Sequence, residues 1–217
     1  MGRPKEGYHL KDGAKIPGVT TIVGRFKDSG ALIYWAWNQG KEGKDFREAR
    51  DVAASIGTLA HQMVEAHLRN EILVWEKPLD AETLQKATQA FGMYLAWENQ
   101  TKLEIIATEM PMVSEAYKFG GTPDAIGSME GKLCLLDWKT SNGLYPDYLI
   151  QMAAYKALWE ENNPKDLLTG GFHLLRFSKE VGDFTHHYFS ELEGAWQMFT
   201  HLRVAYELDR DLKKRAK

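Results

Sequence analysis

The sequence predicts a mixed α/β fold on three observations. Helical periodicity occupies most of the first hundred residues, short β-rich segments punctuated by Gly and Pro take over from Leu103, and helical spacing then returns twice. Taken in order, "YHLKDGAKIPGVTTIVGRF" reads as a small β or loop element, with turns at Gly13 and Pro17-Gly18 and a short strand over Val19 to Val23. Helical patterns follow over Ala31 to Gln39, over Lys44 to Asn70 with a pause near Ser55 to Thr58, and over Ala81 to Gln100. Next, "LEIIATEMPMV", "TPDAIGSM" and "KLCLLDWKT" read as three strands in a meander, separated by Gly, Pro and Glu-Gly. "YPDYLIQMAAYKALWEENN" is helical, with Ile150, Ala153, Ala154, Ala157 and Leu158 on an apolar face and Asn162-Asn163-Pro164 ending it. "GFHLLRFS" and "DFTHHYFS" are two further strands, and a charged helix runs from Glu191 to the end.

A chain of 217 residues with 44% hydrophobic content can bury one sizeable core without disulfides or a structural metal. Its 27 Lys and Arg against 30 Asp and Glu leave a formal charge of -3, so a polyanion would have to be met by a local patch. The single cysteine, Cys134, lies inside an apolar run, which excludes disulfide scaffolds, four-cysteine zinc sites and cysteine-held iron–sulfur clusters. The N-terminus lacks the apolar stretch of a signal peptide and no run approaches ~18 apolar residues. A soluble, intracellular, cytoplasmic protein without membrane contact is expected.

The chemistry concentrates in "GGTPDAIGSMEGKLCLLDWKT", Gly120 to Thr140. In a strand, residues two apart share a face, so Asp137 and Lys139 point together and Trp138 points away. A hairpin could bring Asp124 alongside. Two close carboxylates stay ionised at neutral pH only with a cation between them, and Asp oxygens suit Mg2+ or Mn2+. A lysine beside such a pair is placed to orient or deprotonate water and to counter charge on phosphorus. On these residues alone, a strand-end Asp–Lys salt bridge with Asp124 in a turn is an equal reading: a chain of this composition holds about one D-x-K by chance, and a second copy, Asp211 and Lys213, ends the charged helix.

Two helices add to it. His61 and Glu65 share a face four residues apart after Gly57, and Gln151 and Tyr155 do the same downstream. Gln can bond a phosphate or base edge, and Tyr can stack. Separately, a lone histidine is more often structural, and a helix with one polar edge explains Gln151 and Tyr155. His67 and the His186-His187 pair are read as structural or surface groups, and the histidine spacing does not suit a zinc hydrolase.

Together these residues resemble the PD-(D/E)XK nuclease superfamily, in its RecB-like exonuclease branch. Pro123-Asp124 and Asp137-Trp138-Lys139 match the signature literally, Gly57 to His61 matches the branch's Gly-x-x-x-His helix, and Gln151 to Tyr155 its Gln-x-x-x-Tyr helix. "IPGVTTIV" is similar to the opening segment of phage and mitochondrial single-strand exonucleases, with Gly18 where serine is more usual. The resemblance implies a restriction-endonuclease-like core, a mixed central sheet flanked by helices, with an N-terminal helical half. The expected layout is one nuclease domain over 1–217: a mainly helical half at 1–102, a catalytic sheet core at 103–190 and a C-terminal helix at 191–217.

It further implies a metal-dependent deoxyribonuclease with Asp124, Asp137 and Lys139 as catalytic residues. His61, Asp124, Asp137 and the Trp138 carbonyl would be metal ligands for Mg2+ or Mn2+, with no iron–sulfur cluster, and Gln151 and Tyr155 would bind DNA. Glu65 and Glu109 rank as second-tier site residues. DNA is the expected substrate, single-stranded or with free ends, in recombination, repair or phage DNA processing, with a recombination or single-strand-binding protein as a further partner. A basic, aromatic-interleaved groove is expected from Arg25, Lys27, Lys41, Lys44, Arg47 and Arg50 with Tyr34, Trp35 and Trp37. The rival readings are a catalytically inactive DNA-binding or scaffold domain of the same fold, and a structure-specific endonuclease.

Overall fold

The structure is a computed structural model that describes residues 4–27, 30–75, 80–178 and 182–216; the side chains at 31–32 and 47–55 lie outside the description. Its central sheet has five strands in the order β3 (Glu104–Thr108), β6 (Ala125–Met129), β7 (Lys132–Thr140), β8 (Phe172–Phe177) and β9 (Phe184–Phe189). Neighbours are antiparallel except β7 and β8, which are parallel because helix α5 (Pro146–Asn162) carries the chain back across the sheet between them. The expected meander is present as β3-β6-β7, and its β6–β7 turn is the two-residue Glu130-Gly131, both at positive φ as the hairpin twist requires.

Alternation along β7 assigns its side chains to two cores. Leu135 belongs to a cluster with Val19, Tyr155, Leu158, Leu174 and Phe199, on the face covered by α1 (Val19–Arg25), α5 and α6 (Glu193–Arg215). Cys134, Leu136 and Trp138 belong to the opposite cluster, with Leu59, Val64, Tyr94 and Phe177, under α3 (Phe46–Leu68) and α4 (Ala81–Thr101). Helices thus cover both faces of a mixed sheet, which is the restriction-endonuclease-like architecture expected from the sequence. Helix α2 (Gly30–Lys41) precedes α3. Among the described residues no helix is long and apolar enough to cross a membrane.

Three expectations are corrected. Val19 to Val23, read as a strand, begins helix α1: its β-branched residues favour strands, but Val19, Ile22 and Val23 fall at helical spacing and all three are buried in the α5 core, so packing overrides propensity. The pause near Ser55 to Thr58 is absent, and α3 runs unbroken through Gly57. The meander is interrupted by a hairpin, β4 (Met112–Ser114) with β5 (Phe119–Gly121), hidden in the sequence because a strand ending in Gly-Gly has no apolar alternation to show. That hairpin packs on the N-terminal pair β1 (Tyr8–His9) and β2 (Lys15–Ile16): the Tyr8 ring fills the space where a Cβ on Gly120 would stand, and Tyr8 Oη is 2.9 Å from Thr122 Oγ1.

Candidate active site

The end of β7 gathers the signature residues. The β6–β7 register pairs Ala125 with Leu136, so the preceding Asp124 comes level with Asp137, and its carboxylate accepts a hydrogen bond from Trp138 N–H at 2.8 Å. Asp137 is 1% exposed, and its Oδ2 lies 2.7 Å from Lys139 Nζ in an ion pair. Neither carboxylate oxygen has a well-angled hydrogen bond. Burial therefore pushes Asp137 up, to about 6, against the pull of Lys139 and with a further push from Asp124. Burial acts to lower Lys139 as well, but attraction to Asp137 and Asp124 outweighs it and raises the lysine, so it stays an ammonium at neutral pH. Its Nζ also stands 5.4 Å from the centre of the Tyr148 ring, in the first turn of α5.

On the opposite face of β7 the Trp138 ring stacks with His61 of α3, centroids 6.4 Å apart and planes 21° apart. His61 Nε2 is 3.3 Å from Glu65 Oε1, as the four-residue spacing predicts. One turn further the same face presents Arg69, which pairs with Glu109. Glu109 sits in the left-handed region at φ 44°, and its N–H donates to the Asp124 carbonyl at 3.0 Å. Burial raises the Glu65 carboxyl; His61 and Arg69 counter it, while Glu109 and Asp124 add to it. His61, Glu65, Arg69, Glu109, Asp124 and Trp138 line a cavity of about 10 Å³, enough for one water-sized body.

Helix α3 lies hard against the end of β7 at Gly57. A Cβ there would lie 1.4 Å from Thr140 Cγ2, at the end of β7, so the glycine one turn before His61 exists to let the helix touch the strand that carries Asp137 and Lys139.

Sequence reasoning missed Arg69 and Tyr148. Arg69 was legible as the third member of a His61, Glu65, Arg69 ladder at i, i+4 and i+8, whereas Tyr148 could only be found from the packing of α5 against the tip of β7. Of the residues expected to bind DNA, Gln151 is partly exposed, while Tyr155 is 6% exposed, part of the α5 core and packed close to Gly121. In the expected basic groove, Arg25 is bidentate to Asp209, Lys44 pairs with Glu42, Lys27 pairs with Asp147, and Lys41 lies 4.1 Å from the Trp37 ring centre. Tyr34 and Trp37 are exposed. The Arg47 and Arg50 side chains lie outside the described residues.

The donor chemistry suits a hard divalent cation: carboxylate oxygens, an imidazole and one deeply buried carboxylate whose charge is met by the Lys139 ammonium but which has no well-angled hydrogen bond. Among the described residues, no three His, Cys, Asp or Glu side chains stand close enough together to hold an ion.

The family model described as the PD-(D/E)XK nuclease superfamily matches residues 34–197. Solved structures that this chain resembles include a candidate exonuclease of Eubacterium rectale, at 16% identity and a TM-score of 0.49, covering 67% of this chain and 64% of that one. Another is LHK-Exo, an alkaline exonuclease of Laribacter hongkongensis, at 12% identity and a TM-score of 0.39, covering 76% of this chain and 90% of that one. LHK-Exo in complex with dAMP matches at 12% identity and 0.42, over 76% and 91%. The chain thus spans under two thirds of the Eubacterium protein. No curated protein matches the sequence.

Proposed function

The chain belongs to the PD-(D/E)XK nuclease superfamily, whose members generally use divalent metals, and from that premise we propose that it is a Mg2+- or Mn2+-dependent DNA exonuclease. The observation that carries the reading is the Asp137 carboxylate, 1% exposed and with Lys139 as its ion-pair partner. A buried charge held this way is expensive, and a strand-end salt bridge of no further purpose would sit in water.

In this reading His61, Asp124, Asp137 and the Trp138 carbonyl would draw together to hold the metal, since among the described residues no three such side chains stand that close without it, and the metal would polarise the phosphodiester and lower the pKa of its water. Lys139 donates, as an ammonium, to the attacking water or to a phosphate oxygen and counters the charge growing on phosphorus. Acting instead as a base would first require it to shed the proton that the two acids hold on it. Asp124 accepts from Trp138 N–H, which fixes the tip of β7 relative to β6. Gln151 would contact DNA from α5; the burial of Tyr155 favours a packing role for that residue. Residues 1–217 are taken as one nuclease domain, acting in the cytoplasm in recombination, repair or phage DNA processing.

The test is cleavage of labelled linear and circular DNA, single- and double-stranded, with Mg2+, Mn2+, Zn2+ or chelator. The wild type should release nucleotides or short oligonucleotides from ends with Mg2+ or Mn2+. Lys139→Ala and Asp137→Asn should each lower the rate by about 10² to 10³. Cleavage that both variants retain would refute the site. Binding without cleavage would establish the scaffold reading, and cut circles the endonuclease reading.

A further inference from the structure

A short line of two aromatic rings between two lysines leads from Lys139 out to solvent. Lys139 Nζ stands 5.4 Å from the Tyr148 ring centre, and the Tyr148 ring meets Tyr145 edge to face, at 5.5 Å and 89°. Lys27 Nζ lies 5.8 Å from the Tyr145 ring centre, and Asp147 holds that lysine at 3.1 Å. The sequence explains the outward ring. Pro146 opens α5 and leaves Tyr145 in extended backbone as the N-cap, at φ -124° and ψ 142°, so its side chain leaves the helix axis rather than joining the core. Tyr145 is 46% exposed, whereas Tyr148 packs against the α5 core and supports it from behind.

Resting on the nuclease reading, we propose that Tyr145, backed by Tyr148, is a stacking platform for an unpaired base of a single DNA strand entering the site, with Lys27 and Lys139 meeting the phosphates on either side. A base inside a duplex has both faces covered by its neighbours, so along the length of a strand a ring this exposed finds a free face on an unpaired, unstacked nucleotide. The two rings lie between the two cations, as a base lies between the phosphates on its 5′ and 3′ sides along one strand. The line is continuous with the Asp137 site, and Lys27 and Lys139, held at rest by Asp147 and Asp137, are the ammonium groups a phosphate would meet there in exchange for those carboxylates.

Binding is read by fluorescence anisotropy in chelator, where no strand is cut. The probes are labelled oligothymidylate, an abasic strand of equal length and a blunt duplex. Tyr145→Ala should weaken oligothymidylate binding roughly 5- to 150-fold and should shift the abasic strand and the duplex by less than about 2-fold. Tyr145→Phe should bind as the wild type does, and circular dichroism melts of both variants should match it. Unchanged oligothymidylate binding by Tyr145→Ala would overturn the platform, as would an equal loss on the abasic strand or on the duplex. The nuclease reading stands or falls separately: wild type that cleaves while Tyr145→Ala binds normally removes only the platform. Base-dependent loss of binding in a chain that cleaves nothing removes only the nuclease.

Discussion

Gly57→Ala is the smallest change that should disturb the whole site. The added carbon would lie 1.4 Å from Thr140 Cγ2, 2.5 Å from its Cβ and 2.7 Å from its Oγ1. Carbon–carbon contacts settle at about 3.5–4.0 Å, so α3 and the tip of β7 would have to part by ~2 Å. Alanine gains about 1 kcal/mol of helix propensity over glycine. Forcing a methyl group into packed space costs about 1–3 kcal/mol, and this overlap belongs at the top of that range, giving a net loss of about 2 kcal/mol.

The same distances predict the rescue. Thr140→Ala removes Cγ2 and Oγ1 but leaves Cβ at 2.5 Å, so relief is partial, whereas Thr140→Gly removes all three atoms. In the Thr140→Gly background Gly57→Ala should stabilise by about 1 kcal/mol, a coupling of about 3 kcal/mol in the double-mutant cycle. Urea unfolding of the four proteins measures it. DNA cleavage by Gly57→Ala should fall further than its folded fraction, because Thr140 adjoins Lys139. A Gly57→Ala protein within about 0.5 kcal/mol of wild type, or an equal loss in both backgrounds, would refute the reasoning.

Two further outcomes follow from buried charge. An unfolded aspartate ionises near pH ~4, so Asp137, raised to about 6 by burial, contributes stability that is complete below pH ~4 and lost as pH rises through 6. His186 is pushed down to about 4, first by burial and then by His173 and His187, and its Nε2 lies 2.9 Å from His173 Nδ1. Its contribution is complete above the unfolded histidine value of ~6.5 and lost as pH falls through 4. The two oppose each other, so in chelator Asp137→Asn should expose an acid-labile profile, about 1 kcal/mol or more lost between pH 6.5 and 4.5. His186→Asn should tilt the profile the other way, and urea midpoints that run parallel for all three proteins would contradict this. Removing the cation in Arg69→Gln leaves Glu109 beside Asp124 and Glu65 and should lose about 1–2 kcal/mol, largely restored by adding Glu109→Gln; a double variant no more stable than the single one would show that the ion pair is not the reason.

The sheet core was readable because its signals are local. Alternation and an apolar run mark β7, Glu130-Gly131 marks its hairpin, and the two-residue period places Asp137 and Lys139 on one face. The α1 segment misled because Thr20, Thr21, Ile22 and Val23 carry strand propensity, while the surface that makes them helical belongs to α5 and α6, far along the chain. The hairpin β4–β5 was invisible for a related reason: its Gly120 and Gly121 are shaped by Tyr8, Val19 and Tyr155, partners that no local window contains. In the site, the residues in the family pattern were legible and their surroundings were not. Arg69 and Tyr148 matter through contacts with Glu109 and Lys139 that only the assembled sheet creates.

The tie between Tyr8 and the β5 segment reaches further than its few atoms suggest. Phe119 to Thr122 runs directly into Pro123-Asp124, so whatever steadies Gly120 and Thr122 also sets the angle from which the first acid arrives. Residues 4–18 are therefore a brace for the segment that carries Asp124 rather than an appendage. An affinity handle or a trimming cut made there would be felt at the Asp124 carboxylate, while the charged far end of α6, whose last residues are exposed, could carry the same alteration at little consequence to the packing.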